Sequence, residues 1–410
     1  MLKKVYKPVR GRPLRIVMMS NGPEIPTGYG KVLREIAIRL SKDDRFEVHI
    51  INENNINGKT YNFQGIPVHC PQLEKPEMHR LHEGVFRILE EIKPDVFWVL
   101  EDSFTLSNFG IPNLSHYPVR KIFYVPLDGG NIPDIGVASI RSMDDIVAMS
   151  KFTQKNLERE GFNSEMIWHG VDLEQFSPVS ETHQKALKKK FGFGEDDFIV
   201  FNYGRNSNIR KNNQGLLKVA AAYLKNAPKN HKFLIHTLQA EQPGNDLIDY
   251  KERILSIDYD KTVLDRIIFT PFTDQKFAPD GIVAELMQMS DLVITVSIGE
   301  GFGLIMAEAM ACGKPIISNA YTTPQELLEE PVGDLGPRGW IVPNTTPFVA
   351  HMNTEHAYAD YDRFVNTMNK VVANPLEMKA RGVRGRIFAE RYLNWDYLTE
   401  EWKKILLKYD

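Results

Sequence analysis

The chain has 410 residues, enough for two or three domains with large hydrophobic cores. Its composition, 42% hydrophobic and 25% charged, is that of an ordinary globular protein and excludes a disordered, collagen-like or coiled-coil chain. The formal net charge of −3 offers no field for nucleic acid, and two cysteines are too few for a disulfide scaffold or a cysteine-rich metal site. A cytoplasmic protein with a small-molecule partner is therefore expected.

The amino-terminal segment, residues 1–13, is basic and contains no acidic residue. The apolar run that follows, residues 16–19, is too short for a signal-peptide core or a membrane span. We expect a solvated tail, and weak peripheral contact with an anionic membrane surface is the alternative.

Short runs of β-branched and aromatic residues alternate with amphipathic stretches, which is typical of a parallel sheet with crossover helices. In the first half, the predicted strands are 14–19, 46–52, 95–100, 121–125, 145–149 and 165–168. Two intervening stretches have helical periodicity, and their predicted buried faces are Val32, Ile36 and Leu40 in 31–40, and Phe86, Leu89 and Ile92 in 86–92.

A polar stretch, residues 174–197, separates a second series with the same alternation. Its predicted strands are 198–203, 232–237, 266–270, 292–296, 315–318 and 340–342. Two such series predict an α/β protein with two Rossmann-like domains. We place these domains at 14–180 and 190–385, with a C-terminal helix at 386–410. Because open α/β sheets bind ligands beyond the carboxyl ends of their strands, functional residues are expected directly after strands.

Two glutamates, Glu300 and Glu308, follow a predicted strand of the second series, with seven residues between them. Gly299, Gly301 and Gly303 permit a tight strand-to-helix turn whose backbone N–H groups face an anion or sugar hydroxyls. The helix that follows is otherwise apolar or small, so it should be buried and Glu308 should need a partner. A ligand hydroxyl meets that need, and an internal ion pair is the alternative.

The segment 300–317, EGFGLIMAEAMACGKPII, resembles almost residue for residue the signature of retaining glycosyltransferases of family 4, within glycosyltransferase group 1. The resemblance implies the GT-B fold, in which two Rossmann-like domains face each other across a cleft and the C-terminal helix crosses back to the first domain. It also implies that Glu300 contacts the transferred sugar and that Glu308 holds the ribose of the sugar nucleotide. The positions implied to line the donor are Gly301, Phe302, Gly303 and Leu304.

A basic loop follows the predicted strand at 198–203 and contains Arg205, Arg210 and Lys211 but no acidic residue. Such side chains beside a helix amino end suit a diphosphate, and a solvated polar loop is the alternative. The family has an arginine and a lysine here that bind the leaving diphosphate. Arg205 matches the arginine. Lys211 matches the lysine by residue type, whereas Arg210 has the shorter spacing from Arg205. Either residue is therefore a candidate for the second phosphate ligand.

The resemblance extends over residues 14–405. It implies that Phe272, in FTPFTD, lies near the donor base and that His169, in HGVDLEQFSP, is structural. It also implies that the loop containing Gly28 and Gly30 approaches the donor phosphate or the acceptor through backbone N–H groups. This loop lacks the third glycine of the dinucleotide fingerprint, which argues against a nicotinamide enzyme.

Asp128 follows the predicted strand at 121–125, and we assign it to the sugar or the acceptor. A cap of the DGG turn is the alternative. Many family members have a histidine next to an aspartate here, whereas this chain has Leu127 before Asp128. Asp258 and Asp260 are interpreted as an exposed acidic pair rather than metal ligands.

The resemblance implies transfer of a sugar from a UDP- or GDP-sugar to an acceptor hydroxyl, with retention of configuration by a front-face mechanism and without metal ion or cofactor. The acceptor is a sugar, glycan, lipid or protein. The side chains assigned to catalysis are Glu300, Arg205, Lys211 and Asp128. A sugar-nucleotide epimerase of similar architecture and a non-catalytic nucleotide-sugar-binding protein are the alternatives.

Overall fold

The computed structural model of the protein describes residues 11–74, 77–206, 209–240, 246–271, 280–350 and 353–408. Within these ranges the chain forms two units. The first contains residues 11–170, 353–354 and 395–408, and the second contains residues 171–350 and 355–394.

The sheet of the first unit has eight strands. They are β1 (Leu14–Ser20), β2 (Phe46–Asn52), β3 (Thr60–Phe63), β4 (Ile66–His69), β5 (Val96–Leu100), β6 (Arg120–Val125), β7 (Asp145–Ala148) and β8 (Glu165–Met166). Their order is β3-β4-β2-β1-β5-β6-β7-β8, and neighbouring strands are parallel except in the hairpin of β3 and β4. The direction of chain progression reverses between β1 and β5, which makes their carboxyl ends the switch point of the sheet.

Five helices connect these strands. They are α1 (Gly28–Leu40), α2 (Leu81–Ile92), α3 (Ser103–Asn108), α4 (Asp134–Arg141) and α5 (Lys151–Arg159). The predicted face of α1 is confirmed, because Val32, Ile36 and Leu40 are all buried.

The predicted face of α2 is wrong at Phe86, whose side chain is 43% exposed. The helix begins at Leu81, and its buried stripe runs through Val85, Ile88 and Ile92 at helical spacing. Phe86 lies one residue away from that stripe, and its ring meets the edge of Tyr117 with centroids 5.6 Å apart.

The sheet of the second unit has six parallel strands. They are β9 (Phe198–Tyr203), β10 (His231–His236), β11 (Ile267–Phe269), β12 (Leu292–Thr295), β13 (Ile316–Asn319) and β14 (Trp340–Val342). Their order is β11-β10-β9-β12-β13-β14, so the switch point lies between β9 and β12. A separate antiparallel pair is formed by β15 (Phe348–Val349) and β16 (Glu355–His356).

The remaining helices begin with α6, which lies in the polar stretch between the two predicted series. They are α6 (Glu181–Lys190), α7 (Asn213–Asn226), α8 (Leu247–Asp249), α9 (Lys261–Leu264), α10 (Asp280–Met289), α11 (Leu304–Ala311), α12 (Pro324–Leu328), α13 (Tyr361–Val372), α14 (Pro375–Tyr392) and α15 (Trp395–Leu406). All twelve predicted strands are present, with ends shifted by at most two residues. The prediction missed β3, β4, β15 and β16. The residues of β3, TYNF, are exposed or half-buried and carry little apolar signal.

The last helix, α15, belongs to the first unit. Trp402 is 1% exposed, and its ring meets those of Trp98 and Tyr124 edge-on, at centroid distances of 5.6 and 4.9 Å. The Arg120 guanidinium donates to the carbonyls of Ile405 and Leu406 at 2.8 and 2.9 Å, which satisfies acceptors at the end of the helix.

Trp402→Ala should lower the free energy of unfolding by about 3 to 5 kcal/mol, because it leaves a large cavity among the aromatic rings. Urea unfolding followed by circular dichroism measures this change. Tyr397→Ala, on the same helix at a position 50% exposed, is the matched control and should change stability by about 0.5 kcal/mol or less. Equal unfolding midpoints for the two variants would contradict the packing of α15.

Candidate functional site

Two loops meet at the switch point of the second sheet, because β9 and β12 are neighbouring parallel strands that end at the same edge. The Ile298 amide donates to the Arg210 carbonyl at 2.9 Å, and the Asn212 side chain donates to the Val296 carbonyl at 3.1 Å. These bonds hold the basic loop against the glycine turn. Helices α7 and α11 begin directly after the two loops, so two helix amino ends lie at this edge.

The Glu300 carboxylate lies between two cations of the basic loop. Its Oε1 accepts from Lys211 Nζ at 2.6 Å, and its Oε2 accepts from Arg210 Nη1 at 3.2 Å. Burial by itself raises the pKa of Glu300, but the Lys211 ammonium and the Arg210 guanidinium outweigh it and lower this pKa to about 2. Glu300 is therefore ionised at neutral pH although it is only 5% exposed.

The backbone of Glu300 is held by two threonines that precede α12. Thr322 Oγ1 accepts from the Glu300 amide at 2.9 Å and lies 2.8 Å from the Glu300 carbonyl oxygen, and Thr323 Oγ1 donates to the same carbonyl at 2.8 Å. Thr322 has φ 69°, a left-handed conformation that is strained for a β-branched residue. The sequence interpretation missed both residues, although a polar pair after a predicted strand was a usable signal.

Glu308 is buried on α11, as expected, together with every residue of that helix except the half-buried Leu304. Its Oε2 accepts a hydrogen bond from the hydroxyl of Tyr203, the last residue of β9. Tyr203 was not singled out from the sequence, because it reads as part of an apolar strand.

The other predicted residues of this site occupy different environments. Gly303 has φ 93° and caps the start of α11, a conformation that favours glycine. Gly301 and Phe302 are buried in the turn, whereas Arg205 is exposed two residues after β9. Phe272 lies outside the described residues. The structure thus gathers Glu300, Arg210 and Lys211 into one cluster of direct contacts.

A second polar cluster lies at the switch point of the first sheet. Glu53 and Glu101, which follow β2 and β5, are 2% and 6% exposed. Asn21, which follows β1, donates to Glu53 Oε1 at 2.8 Å and to Glu101 Oε2 at 3.5 Å. Burial, together with the neighbouring Glu53 carboxyl, raises the pKa of Glu101 well above its ordinary value. Glu101 therefore holds its proton to a higher pH than an exposed glutamate does.

The glycine loop of the first unit is tied to this cluster. Thr27 Oγ1 donates to Asn21 Oδ1 at 2.7 Å and accepts from the Gly30 amide at 3.1 Å. Gly30 is buried, and a β-carbon there would lie 2.3 Å from the Ile25 carbonyl oxygen, so the packing of the loop requires glycine. Gly28 is exposed at the first position of α1.

Tyr29 connects this loop to the acidic side chains of the same edge. Its hydroxyl donates to Asp102 Oδ1 at 2.8 Å. Burial raises the pKa of Tyr29 well above its ordinary value, and the charges of Asp102, Glu101 and Asp128 raise it further. Asp128 is half-buried after β6 and lies close enough to act on Tyr29. Neither Tyr29 nor Glu53 was predicted from the sequence.

His169 is buried, and its Nδ1 lies 2.8 Å from the Tyr124 hydroxyl. Burial lowers the pKa of His169 to about 3, so the ring is neutral at physiological pH. Asp260 accepts from the Val263 amide at 3.1 Å and caps α9. Over the described ranges, no group of three or more His, Cys, Asp and Glu side chains is placed to hold a metal ion. No helix in the same ranges is long and apolar enough to cross a membrane.

A protein-family model described as "Glycosyl transferases group 1" matches residues 183–354, which contain the basic loop and both glutamates. D-inositol 3-phosphate glycosyltransferase from Gordonia bronchialis is 24% identical over 236 residues, which are 58% of this chain and 45% of that protein. The chain spans less than half of the length of the curated relatives that it matches.

Solved structures match over nearly the whole chain. Sucrose-phosphate synthase from Thermosynechococcus elongatus matches with a TM-score of 0.76 and 15% identity, over 96% of this chain and 98% of that one. HepE from Anabaena, crystallised with UDP and glucose, matches with a TM-score of 0.71 and 17% identity, over 96% of this chain and 100% of that one. The protein has the GT-B fold. The predicted fold class is thus confirmed. The segment that the family model matches, residues 183–354, lies in the second unit except for its last residues.

Glu101→Gln should stabilise the protein at pH 8 by about 1 kcal/mol, because the folded state holds the Glu101 proton more tightly than the unfolded chain does. In the wild-type protein, the contribution of Glu101 to the free energy of unfolding is then fully present below the ordinary carboxyl pKa of 4.5. This contribution falls as the pH rises towards the pKa of Glu101 in the folded state. The amide of the variant imitates the protonated acid and removes this fall.

Thermal unfolding of both proteins between pH 4 and pH 8 measures the difference, which should shrink as the pH is lowered. Glu158→Gln, at an exposed position of the same unit, is the control and should show no such trend. Parallel stability curves for the wild type and Glu101→Gln would mean that folding does not raise the pKa of Glu101.

Proposed function

We propose that the protein is a retaining glycosyltransferase that moves a sugar from a nucleotide diphosphate sugar to an acceptor hydroxyl without a metal ion. The observation that carries the proposal is the cluster of Glu300, Arg210 and Lys211 at the switch point of the second sheet, within the matched segment 183–354. Ligands of open α/β sheets bind at this position, and the cluster combines cations for phosphate with a carboxylate for hydroxyls.

The basic loop is the proposed diphosphate site. Lys211 and Arg210 lie against the glycine turn, and Arg205 is exposed on the same loop. Their positive charges and the amino end of α7 would neutralise the charge that builds on the diphosphate as it leaves, which is the task that a metal ion performs in other transferases. Lys211 makes the shorter ion pair with Glu300, and we assign the principal phosphate contact to it.

The carboxylates are the proposed hydroxyl sites. We assign Glu308 to the ribose, because it is buried at the sheet edge beside Tyr203. Glu300 is assigned to the transferred sugar, and the backbone of the turn from Gly301 to Leu304, at the amino end of α11, is assigned to the donor.

Retention of configuration is proposed to follow a front-face route. The bond between the sugar C1 and the diphosphate oxygen breaks, and the acceptor oxygen bonds to C1 on the same face. The acceptor proton passes to the departing phosphate oxygen. The chain's own contributions are to neutralise the leaving group through Arg205 and Lys211 and to orient the sugar through Glu300.

The carboxyl edge of the first unit is proposed to serve the acceptor. Asp128 is assigned to an acceptor or sugar hydroxyl, and the Gly28–Gly30 loop is assigned to backbone contacts with the acceptor or the donor phosphate. The acceptor class is a sugar, glycan, lipid or protein that presents a hydroxyl group.

UDP-sugars are the first donors to test, because the crystal structures of HepE hold UDP with glucose and UDP-glucose. GDP-sugars are the second. Thermal shift should show stabilisation by the correct nucleotide diphosphate and its sugar, since a ligand that binds only the folded state stabilises it. Slow release of sugar from the donor, which is transfer to water, should then be visible by NMR.

Glu308→Ala should weaken donor binding by about tenfold to a hundredfold, because it removes hydrogen bonds to a charged group. Arg205→Ala should mainly slow sugar release, because its charge acts on the leaving diphosphate as the bond breaks. Calorimetric titration and NMR measure the two effects separately. Lys218→Ala, which removes an exposed cation from α7, is the matched control and should change neither.

Three outcomes would contradict the proposal. Conversion of the donor into an epimer without any acceptor would indicate an epimerase. Tight binding without turnover in the presence of hydroxyl acceptors would indicate a binding protein. Wild-type behaviour of both site variants would reject the assigned site.

A further inference from the structure

The Glu300 carboxylate forms ion pairs with Lys211 and Arg210, the two cations that the proposed diphosphate site requires. We infer that Glu300 and the bound diphosphate compete for Lys211 and Arg210, and that this competition selects the intact donor over the free nucleotide diphosphate. The inference rests on the proposed function and adds a role for Glu300, in which the residue promotes release of the nucleotide product.

The geometry makes the two anions competitors for the charge of the same cations. One carboxylate spans both, with Lys211 Nζ on Oε1 at 2.6 Å and Arg210 Nη1 on Oε2 at 3.2 Å. A phosphate oxygen that binds another N–H of the Lys211 ammonium comes close to Oε1, and the repulsion between the two anionic oxygens favours movement of the carboxylate away from the cation.

Hydrogen bonds restrict the movement of the loop that bears the two cations and of the Glu300 backbone. The Arg210 carbonyl is bonded to the Ile298 amide at 2.9 Å, which fixes the loop that bears both cations. The Glu300 peptide is held by Thr322 and Thr323 at 2.8 to 2.9 Å. Movement therefore falls to the side chain of Glu300, which rotates away from the cations and from the Ser297 hydroxyl while its backbone stays in place.

A displaced Glu300 carboxylate is costly unless it gains new partners, because the residue is only 5% exposed. An intact donor supplies such partners, since the hydroxyl groups of its sugar donate hydrogen bonds to a carboxylate. Free nucleotide diphosphate supplies none. The carboxylate thus opposes the product more strongly than the donor, although the product carries the more negative terminal phosphate.

The sequence of events follows from these contacts. Donor binding breaks the ion pairs of Glu300 and transfers its carboxylate to the sugar. When the sugar has left with the acceptor, the carboxylate loses its hydroxyl partners and returns to Lys211 and Arg210. The nucleotide diphosphate then loses its cations and dissociates.

The test is the affinity of Glu300→Gln for UDP and for UDP-glucose, or for the pair of ligands that the donor screen selects, measured by calorimetric titration at pH 7.5. The neutral amide competes poorly for the cations, so the Kd of UDP should fall by about tenfold. The Kd of UDP-glucose should fall by about threefold or less, because the variant also loses the carboxylate that receives the sugar hydroxyls. Glu252→Gln removes an exposed carboxylate of the same unit and should change neither Kd.

A double-mutant cycle identifies the cations. In the Lys211→Ala background, Glu300→Gln should tighten UDP by about twofold or less, because the principal cation of the competition is absent. Glu300→Ala gives a second reading of the same quantity, and circular dichroism verifies that each variant is folded.

The possible failures are distinguishable. Wild-type protein that binds neither nucleotide diphosphates nor their sugars overturns the proposed function. Wild-type protein that binds them, with Glu300 variants that bind UDP no more tightly than it does, overturns the competition alone. Equal tightening of UDP and UDP-glucose overturns the selection of donor over product.

Discussion

The candidate site of the second unit depends on one constraint, the burial of an ionised carboxylate at Glu300. A carboxylate removed from water costs several kcal/mol unless cations and hydrogen bonds replace the lost hydration. Lys211 and Arg210 supply the cations, and this requirement draws the loop after β9 onto the loop after β12. The positive φ of Thr322 belongs to the same arrangement, because the strained backbone places its hydroxyl between the amide and the carbonyl of Glu300.

The sheets of the two units each have a switch point, but the carboxyl groups at the two switch points differ in protonation. Each sheet reverses its chain progression between two neighbouring parallel strands, and polar loops collect where those strands end. In the second unit a carboxylate is paired with cations and ionised. In the first unit Glu53 and Glu101 both lie beside Asn21, and burial raises the pKa of each carboxyl group. The first edge is thus rich in hydroxyl and carboxyl groups, which suits a neutral polar ligand better than an anion.

The sequence predicted most of the sheet framework because its central strands are continuous apolar runs with few competing interpretations. It failed where that signal is weak, as in the exposed strand β3, or where two helical phases fit, as at Phe86. The motif positions of Glu300, Glu308 and Lys211 were predictable, since βα units place such residues at one edge. Their partners were not, because Tyr203 and Thr322 reach the glutamates only through the order of strands in the sheet, which periodicity does not encode.

A rigid Glu300 backbone suits a transferase of the proposed kind. The Glu300 side chain must reach both the cations and the sugar without a change in the conformation of its loop. Otherwise each catalytic cycle would include the entropic cost of reordering the loop backbone. The bonds from Thr322 and Thr323 meet that condition, because they hold the peptide of Glu300 and not its carboxylate. The strain at Thr322, of order 1 to 3 kcal/mol, is then retained because relaxing it would release the peptide that carries the carboxylate.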